Sequence, residues 1–184
     1  MKTYQCEFTG VSEFFFGKAV MEKRASNETH EQFEERTWQK KVHVGEDGQC
    51  FIQPFALKNG LVTAARWLSL SVPGEGKKTF TKRFEAAVLV VEPMRLCNGT
   101  GKPATLKSIE GRSLFVPSDG KSGGPKRVMR TFPVLSHWST TASLIVFDGK
   151  ISKEVLEQHL VALGQFVGFG SMRVEHGGIN GRFS

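Results

Sequence analysis

The sequence predicts an α+β domain in which an antiparallel sheet carries two helices on one face and a long inserted loop, in the order βαββαβ. Three observations predict this class. Apolar and polar residues alternate near the amino end, two segments repeat apolar residues at spacings of three and four, and two short apolar runs have the composition of buried strands. The length of 184 residues is that of one domain, so residues 1–184 are interpreted as a single unit.

The first predicted strand lies at the amino end, where Tyr4, Cys6 and Phe8 alternate with polar residues. The apolar run at residues 14–17 then predicts either a second strand or a packed turn. Residues 26–32 are polar and predict a loop or a short surface helix. Only the first of these segments has a single interpretation.

A hairpin and a helix are predicted next. Residues 38–44 alternate again, residues 46–48 have the composition of a turn, and residues 50–52 form the returning strand. Pro54 suits the first turn of a helix, and the apolar positions after it predict an amphipathic helix over residues 54–70. These positions are Phe55, Leu57, Leu61, Ala64, Ala65 and Leu68.

Two apolar runs predict central strands of the sheet. Residues 86–91 are uninterruptedly apolar, as expected of a strand that is buried on both faces, and residues 143–147 form the second run. Between them lies a predicted flexible, basic loop at about residues 98–130. The two strands therefore flank the inserted loop.

A second helix and a closing segment complete the order. Ser152 is a candidate cap for a helix that ends at Gly164 or Gly168. The core-facing positions of this helix are Val155, Leu156, His159, Leu160 and Leu163. The glycine-rich residues 168–184 predict a last strand or hairpin. The complete order is that of the ferredoxin-like fold.

The chain is strongly basic, with a formal net charge of +7 and an isoelectric point near 9.5. Residues 99–130 hold seven basic side chains against two acidic ones, whereas residues 22–35 hold five acidic side chains against two basic ones. The segments thus give the molecule a charge polarity, and positive charge of this size attracts phosphate backbones at long range.

Several chemistries are disfavoured by the sequence. Cys6, Cys50 and Cys97 form no Cys-x-x-Cys pair, so we expect free thiols in a cytoplasmic protein. The histidines show no spacing typical of metal ligands, and neither a complete dinucleotide-binding nor a complete phosphate-loop motif is present. No stretch reaches the ~20 apolar residues of a membrane span, and no secretory signal is recognised. We therefore expect no cofactor, no metal and no membrane partner.

One segment combines cations with aromatic rings, which are the two components that single-stranded nucleic-acid binders use. It spans residues 74–84 and contains Lys77, Lys78, Phe80, Lys82, Arg83 and Phe84. The alternative interpretation is an amphipathic strand that buries both phenylalanines and leaves the lysines in water.

A second basic segment lies in the predicted loop, where glycines would let backbone amides approach phosphates. It spans residues 120–130 and contributes Lys121, Lys126, Arg127 and Arg130. The alternative interpretation is a disordered, solvated loop.

The glycine-rich residues 168–183 resemble the closing segment of the RAMP superfamily, the RRM-like proteins that form CRISPR effector backbones and process CRISPR RNA. Two other stretches agree: the opening strand running into residues 10–17, and the Ile52-Gln53-Pro54 turn before a helix that carries Lys58 and Arg66. The resemblance implies an RRM-like fold in which the inserted loop acts as a thumb on RNA. A stand-alone or virus-encoded relative fits the length of the chain.

The sequence therefore predicts a non-catalytic binder of single-stranded nucleic acid, with RNA ahead of DNA. The two basic segments are expected to converge on one groove, and Arg173 and Arg182 add to it from the glycine-rich end. Copies could stack along a strand, acidic end against basic end, as in a CRISPR-type complex. The alternatives are a protein that inhibits or mimics such a complex, and a metal-independent ribonuclease that uses His176.

Overall fold

The computed structural model describes residues 1–118 and 126–184 and has the predicted α+β class, with two antiparallel sheets. Within these residues the strands are β1 (Lys2–Thr9), β2 (Phe14–Phe15), β3 (Phe51–Ile52), β4 (Val88–Val90), β5 (Met94–Asn98), β6 (Glu110–Pro117), β7 (Arg127–Leu135) and β8 (Trp138–Val146). The helices are α1 (His30–Thr37), α2 (Pro54–Leu68), α3 (Thr81–Ala87) and α4 (Lys153–Ala162).

The larger sheet is built around β8, which pairs with β1 on one side and with both β4 and β5 on the other. The predicted strand at residues 143–147 is thus confirmed as central. The prediction that residues 86–91 are buried on both faces is wrong: Val88 and Val90 are buried, but Leu89 and Val91 are 48% and 52% exposed. Residues 86–87 also belong to α3.

Helices α2 and α4 pack against each other, and their apolar faces join the buried side of the sheet in one core. Both helices were predicted from their periodicity. Gly60 lets them approach closely, because a Cβ atom there would lie 2.8 Å from Cδ1 of Leu163. The side chain of Ser152 caps α4 by accepting a hydrogen bond from the amide of Val155. A short π-helix over Leu163–Val167 continues α4. The π-helix ends at Gly168, which has a φ of +73°.

The predicted hairpin over residues 38–52 forms only in part. Trp38–Lys41 is a 3-10 helix that follows α1, because the amine of Lys41 is held by the Glu34 carboxylate and by the carbonyl of Thr131 in β7. These tertiary contacts override the alternating pattern. The turn is nevertheless present, since Val44 and Cys50 form an isolated antiparallel bridge.

Most of the predicted basic loop is regular structure. Strands β6 and β7 form a hairpin, and β2 adds to the outer edge of β7, which gives a three-stranded sheet in the order β2-β7-β6. The apolar residues of β7 are interrupted by Arg130 and Thr131 and show no simple alternation, so the sequence pattern did not mark this strand. The prediction of a flexible loop is therefore wrong for β6 and β7.

The glycine-rich closing segment forms backbone pairs without a regular strand. Thr9 and Ser184 exchange two backbone hydrogen bonds of 2.9 and 3.0 Å, and Gly10 bridges Phe183. The last residues of the chain therefore pair with the carboxyl end of β1, on the side away from β8.

Candidate nucleic-acid interface

The first predicted basic segment forms a loop and the start of α3, and its cations Lys77, Lys78, Lys82 and Arg83 are called the α3 cluster. Arg83 lies between two carboxylates, those of Glu75 and Asp148, and all three side chains are 21–23% exposed. Lys82 pairs with Glu85 at 2.8 Å. Lys77 and Lys78 are exposed on the surface. Arg83 thus links the loop before α3, through Glu75, to the residues that follow β8, through Asp148.

The phenylalanines of this segment belong to the core. Phe80 is 2% exposed and Phe84 is fully buried, and both rings pack against the imidazole of His159. Phe80 therefore presents no face on which a base could stack, and its predicted role in binding is wrong for this conformation. The alternative that buried both rings is correct, although the segment is helical.

The described parts of the two predicted basic segments, residues 74–84 and 126–130, line different surfaces. Arg83 pairs with Asp148, just after the end of β8, whereas β7 ends at Leu135, just before its start. The eight steps along β8 separate these points by about 26 Å at ~3.3 Å per residue. The cavity beside Lys78, Lys82 and Arg83 is lined by no residue of β6 or β7, so among the described residues the expected common groove is not formed.

The remaining predicted residues lie near the hairpin or in the closing segment. Lys126 and Arg127 are exposed at the hairpin end, and Lys121 lies outside the described residues. Arg130 donates to the carbonyl of Ser118 at 3.3 Å. Arg173 pairs with Glu175 at 2.8 Å.

Arg182 and Lys58 occupy other positions. Arg182 is exposed on the strand-like end of the chain. The amine of Lys58 donates to the carbonyls of Phe84 and Val88, so this cation of α2 stabilises the end of α3. The amine of Lys58 is thus hydrogen-bonded to backbone carbonyls within the fold.

A concave surface lies between the hairpin, β2, α2 and the closing segment, and we call it the hairpin groove. It has two halves, which share Phe16, Gly17 and Ser171 in their walls. The charged half, about 370 Å³ in volume, is lined by Lys18, His30, Glu34, Lys41, Arg130 and Phe132. The uncharged half, about 380 Å³, is lined by His43, Gln53, Phe55, Asn59, Arg173 and Glu175, among others.

Glycine makes the wall between the two halves possible. Gly170 has a φ of +81°, and a Cβ atom there would lie 2.3 Å from the carbonyl oxygen of Phe15. The next residue, Ser171, donates its amide to the same carbonyl at 2.7 Å. Only a residue without a side chain lets the closing segment lie this close to β2.

The charged half holds three cations, Lys18, Lys41 and Arg130, against one carboxylate, that of Glu34. Glu34 is buried, and it accepts hydrogen bonds from the amine of Lys41 and from the amide of Thr131. The amine of Lys41 also lies 5.6 Å from the centre of the Phe132 ring. The local excess of positive charge is therefore next to a half-buried aromatic ring.

The uncharged half is balanced electrostatically. The guanidinium of Arg173 pairs with the Glu175 carboxylate, so these two charges compensate each other. Burial lowers the pKa of His43, and the positive charge of Lys18 lowers it further. The imidazole is consequently neutral at pH 7, and the two halves differ in charge.

Sequence analysis predicted Arg130 and Arg173 in this region but missed Lys18, Lys41 and Phe132. Lys18 directly follows the apolar run at residues 14–17, and Lys41 lies in the segment that was predicted as a strand. No local pattern connects these residues, because β2, the 3-10 helix and β7 meet only in the tertiary structure.

No model of a known protein family matches this chain. A search of curated proteins finds no significant match either. Within residues 1–118 and 126–184, no three histidine, cysteine, aspartate or glutamate side chains are grouped so that they could hold a metal ion. None of the helices described above has the length and apolar character needed to cross a membrane.

Proposed function

We propose that the protein binds single-stranded nucleic acid without cleaving it, RNA more readily than DNA, along the hairpin groove. The observation that carries this proposal is the charged half, where Lys18 and Arg130 line one concave surface beside Phe132, while Lys41 in the same wall is paired with Glu34. Cations neutralise phosphates and aromatic rings stack on bases, and this combination is typical of single-strand binders.

The topology supports the finer proposal of a ferredoxin-like, RRM-like domain related to the RAMP superfamily. The carboxyl end of β1 lies between β8 and the last residues of the chain, while β4 and β5 lie on the far side of β8. The hairpin of β6 and β7 is inserted between β5 and β8, where the resemblance implies a thumb on RNA. The thumb would then form one wall of the groove.

The test is fluorescence anisotropy of a labelled 20-nucleotide single-stranded RNA of mixed sequence, titrated at several salt concentrations. Binding should weaken with salt, and log affinity should fall with log salt by about 0.7 per phosphate contact. The double variant Lys18→Gln, Arg130→Gln should lower this slope by about 1.4 and reduce affinity at fixed salt. The same titration with DNA of matched sequence tests the preference for RNA.

The matched control is the double variant Lys77→Gln, Lys78→Gln, which removes the same charge from the α3 cluster at exposed positions. It should leave most of the slope intact. Equal losses in the two double variants would mean that the net charge of the protein, and not the groove, attracts the strand. Absence of salt-dependent binding in the wild-type protein would overturn the proposal.

A specific surface feature favours a protein partner as the second candidate function. Trp67 and Phe166 are 63% and 48% exposed, and their rings stack with centres 6.3 Å apart. The adjoining surface includes exposed Val161 and the carboxylates of Glu154 and Glu157. Aromatic residues of this kind are typical of protein interfaces. Loss of a partner in Trp67→Ala, with no oligonucleotide binding in the wild type, would favour this function.

The ribonuclease hypothesis rests on His176, which lies in a 3-10 turn with a side chain that is 63% exposed. Its imidazole is 3.9 Å from the Glu175 carboxylate. RNA cleavage that persists in EDTA and disappears in His176→Ala would show that the protein is a ribonuclease and does more than bind RNA.

A further inference from the structure

The uncharged half of the hairpin groove differs from the charged half in the side chains that it offers. One wall is the exposed face of α2, where Ala56, Asn59 and Thr63 follow each other at spacings of three and four. Phe55, at the start of this helix, is 72% exposed, although it is a large aromatic residue. The fold therefore leaves an aromatic ring and amide groups together at the mouth of a cavity.

The floor of this half is apolar, because Phe14, Phe16 and Phe169 contribute to it from the core. The Arg173–Glu175 pair and the neutral imidazole of His43 leave no net charge. A phosphate would gain little here, whereas a flat, uncharged and partly apolar group would be well accommodated.

The polar groups fit the edge of such a flat group. The amides of Gln53 and Asn59 are both exposed, and each offers a donor and an acceptor. Amide side chains of this kind form paired hydrogen bonds with the edges of bases, and aromatic rings stack on the faces of unstacked bases in single-stranded RNA. The cavity of about 380 Å³ lies within the range of small-ligand sites.

The two halves are adjacent and share Phe16, Gly17 and Ser171 in their walls. A strand whose phosphates contact Lys18 and Arg130 can thus direct a neighbouring base across this shared wall into the uncharged half. The phosphate of a nucleotide would then bind in the charged half, and its base would bind in the uncharged half.

We propose that the uncharged half is a base-binding site, in which one unstacked nucleobase stacks on Phe55 and forms hydrogen bonds with the amides of Asn59 and Gln53. This inference rests on the proposed function and adds base preference to it. The charged half sets affinity through the backbone, and the uncharged half favours some bases over others.

The test compares labelled 12-nucleotide oligo(U), oligo(C) and oligo(A) RNAs by anisotropy at one salt concentration. Wild-type protein should bind them with affinities that differ at least threefold. Phe55→Ala should weaken the preferred RNA about fivefold or more, as expected for loss of a stacked base. Asn59→Ala should reduce the difference among the three RNAs without changing the salt slope.

The matched control is Phe147→Ala, which removes another exposed phenylalanine, one that is 52% exposed just after the end of β8. It should leave affinity and preference unchanged. A second readout needs no variant: 2-aminopurine placed in the preferred RNA should change its fluorescence on binding, because one base leaves the strand's own stack.

The outcomes separate this inference from the proposed function. Salt-dependent binding with equal affinity for the three RNAs, and no effect of Phe55→Ala, would overturn the base-binding site and leave backbone binding intact. Absence of any salt-dependent binding would overturn both. Urea unfolding of each variant checks that the exposed substitutions leave the fold unchanged.

Discussion

The α3 cluster and the charged half of the hairpin groove are each groups of cations beside phenylalanine, yet the structure uses them differently. In the α3 cluster Arg83 lies between two carboxylates, and Phe80 of the same segment is buried in the core. In the charged half Lys18 and Arg130 line a concave surface with half-buried Phe132. In the first region the cation and the ring are held within the fold, and in the second the cations line a cavity.

The difference shows that a basic, aromatic sequence segment does not by itself define a binding surface. A cation contributes to long-range attraction wherever it lies. It binds a phosphate directly only where no carboxylate already pairs with it and where other cations lie close by. The α3 cluster is contiguous in sequence, and the charged half is assembled from three separate segments.

The largest expected effect is on the free energy of unfolding, and it distinguishes a buried phenylalanine from an exposed one. Phe80→Ala should lower the free energy of unfolding by about 3–5 kcal/mol, because it opens a cavity against Phe84 and His159. Urea denaturation followed by tryptophan fluorescence measures this loss. Phe147→Ala, at an exposed site, should change stability by less than about 0.5 kcal/mol. A Phe80 variant of normal stability that binds RNA weakly would break the comparison.

A smaller effect is expected at the cation that links two parts of the fold. Arg83→Gln should cost about 1–2 kcal/mol of stability, between the values typical of exposed and of buried ion pairs. Lys77→Gln serves as the control, since Lys77 is exposed and no carboxylate of the described residues is paired with it. Stability of both variants is measured in urea. If Arg83→Gln weakened RNA binding at unchanged stability, the α3 cluster would have to be counted as part of the interface.

The smallest effect is on the pH dependence of stability. Burial lowers the pKa of His159, so below about pH 6.5 the unfolded chain binds more protons than the folded protein. Stability is complete above that pH and falls as the pH drops towards the pKa of the folded state, by at most about 1.4 kcal/mol per pH unit. His159→Leu should flatten this decline in urea denaturation between about pH 7 and pH 5.

His43 provides the comparison for this pH effect. Its pKa is also lowered by burial, but it lies in the wall of the groove and is half-buried, whereas His159 is fully buried. His43→Gln should therefore flatten the decline less than His159→Leu does. An equal or larger change in His43→Gln would show that the groove wall contributes as much to acid sensitivity as the core beneath α3.

Much of the fold was predictable because local periodicity records which side of an element is buried. The apolar spacing of α2, the Ser152 cap of α4, the alternation in β1 and the apolar run at residues 143–147 each predicted an element that the structure contains. The errors occur where tertiary contacts override local pattern, as at Trp38–Lys41, or where a strand carries no clear alternation, as in β6 and β7.

The sequence by itself determined the α+β class, the two main helices, the central strand and the excess of positive charge. These properties depend on composition and on periodicities of two and of three to four residues. Only the tertiary structure decided which cations lie together, since Lys18, Lys41 and Arg130 come from distant segments that β2 and β7 bring side by side. It also decided that Phe80 is buried and Phe55 exposed, because burial depends on what covers a side chain and not on its type.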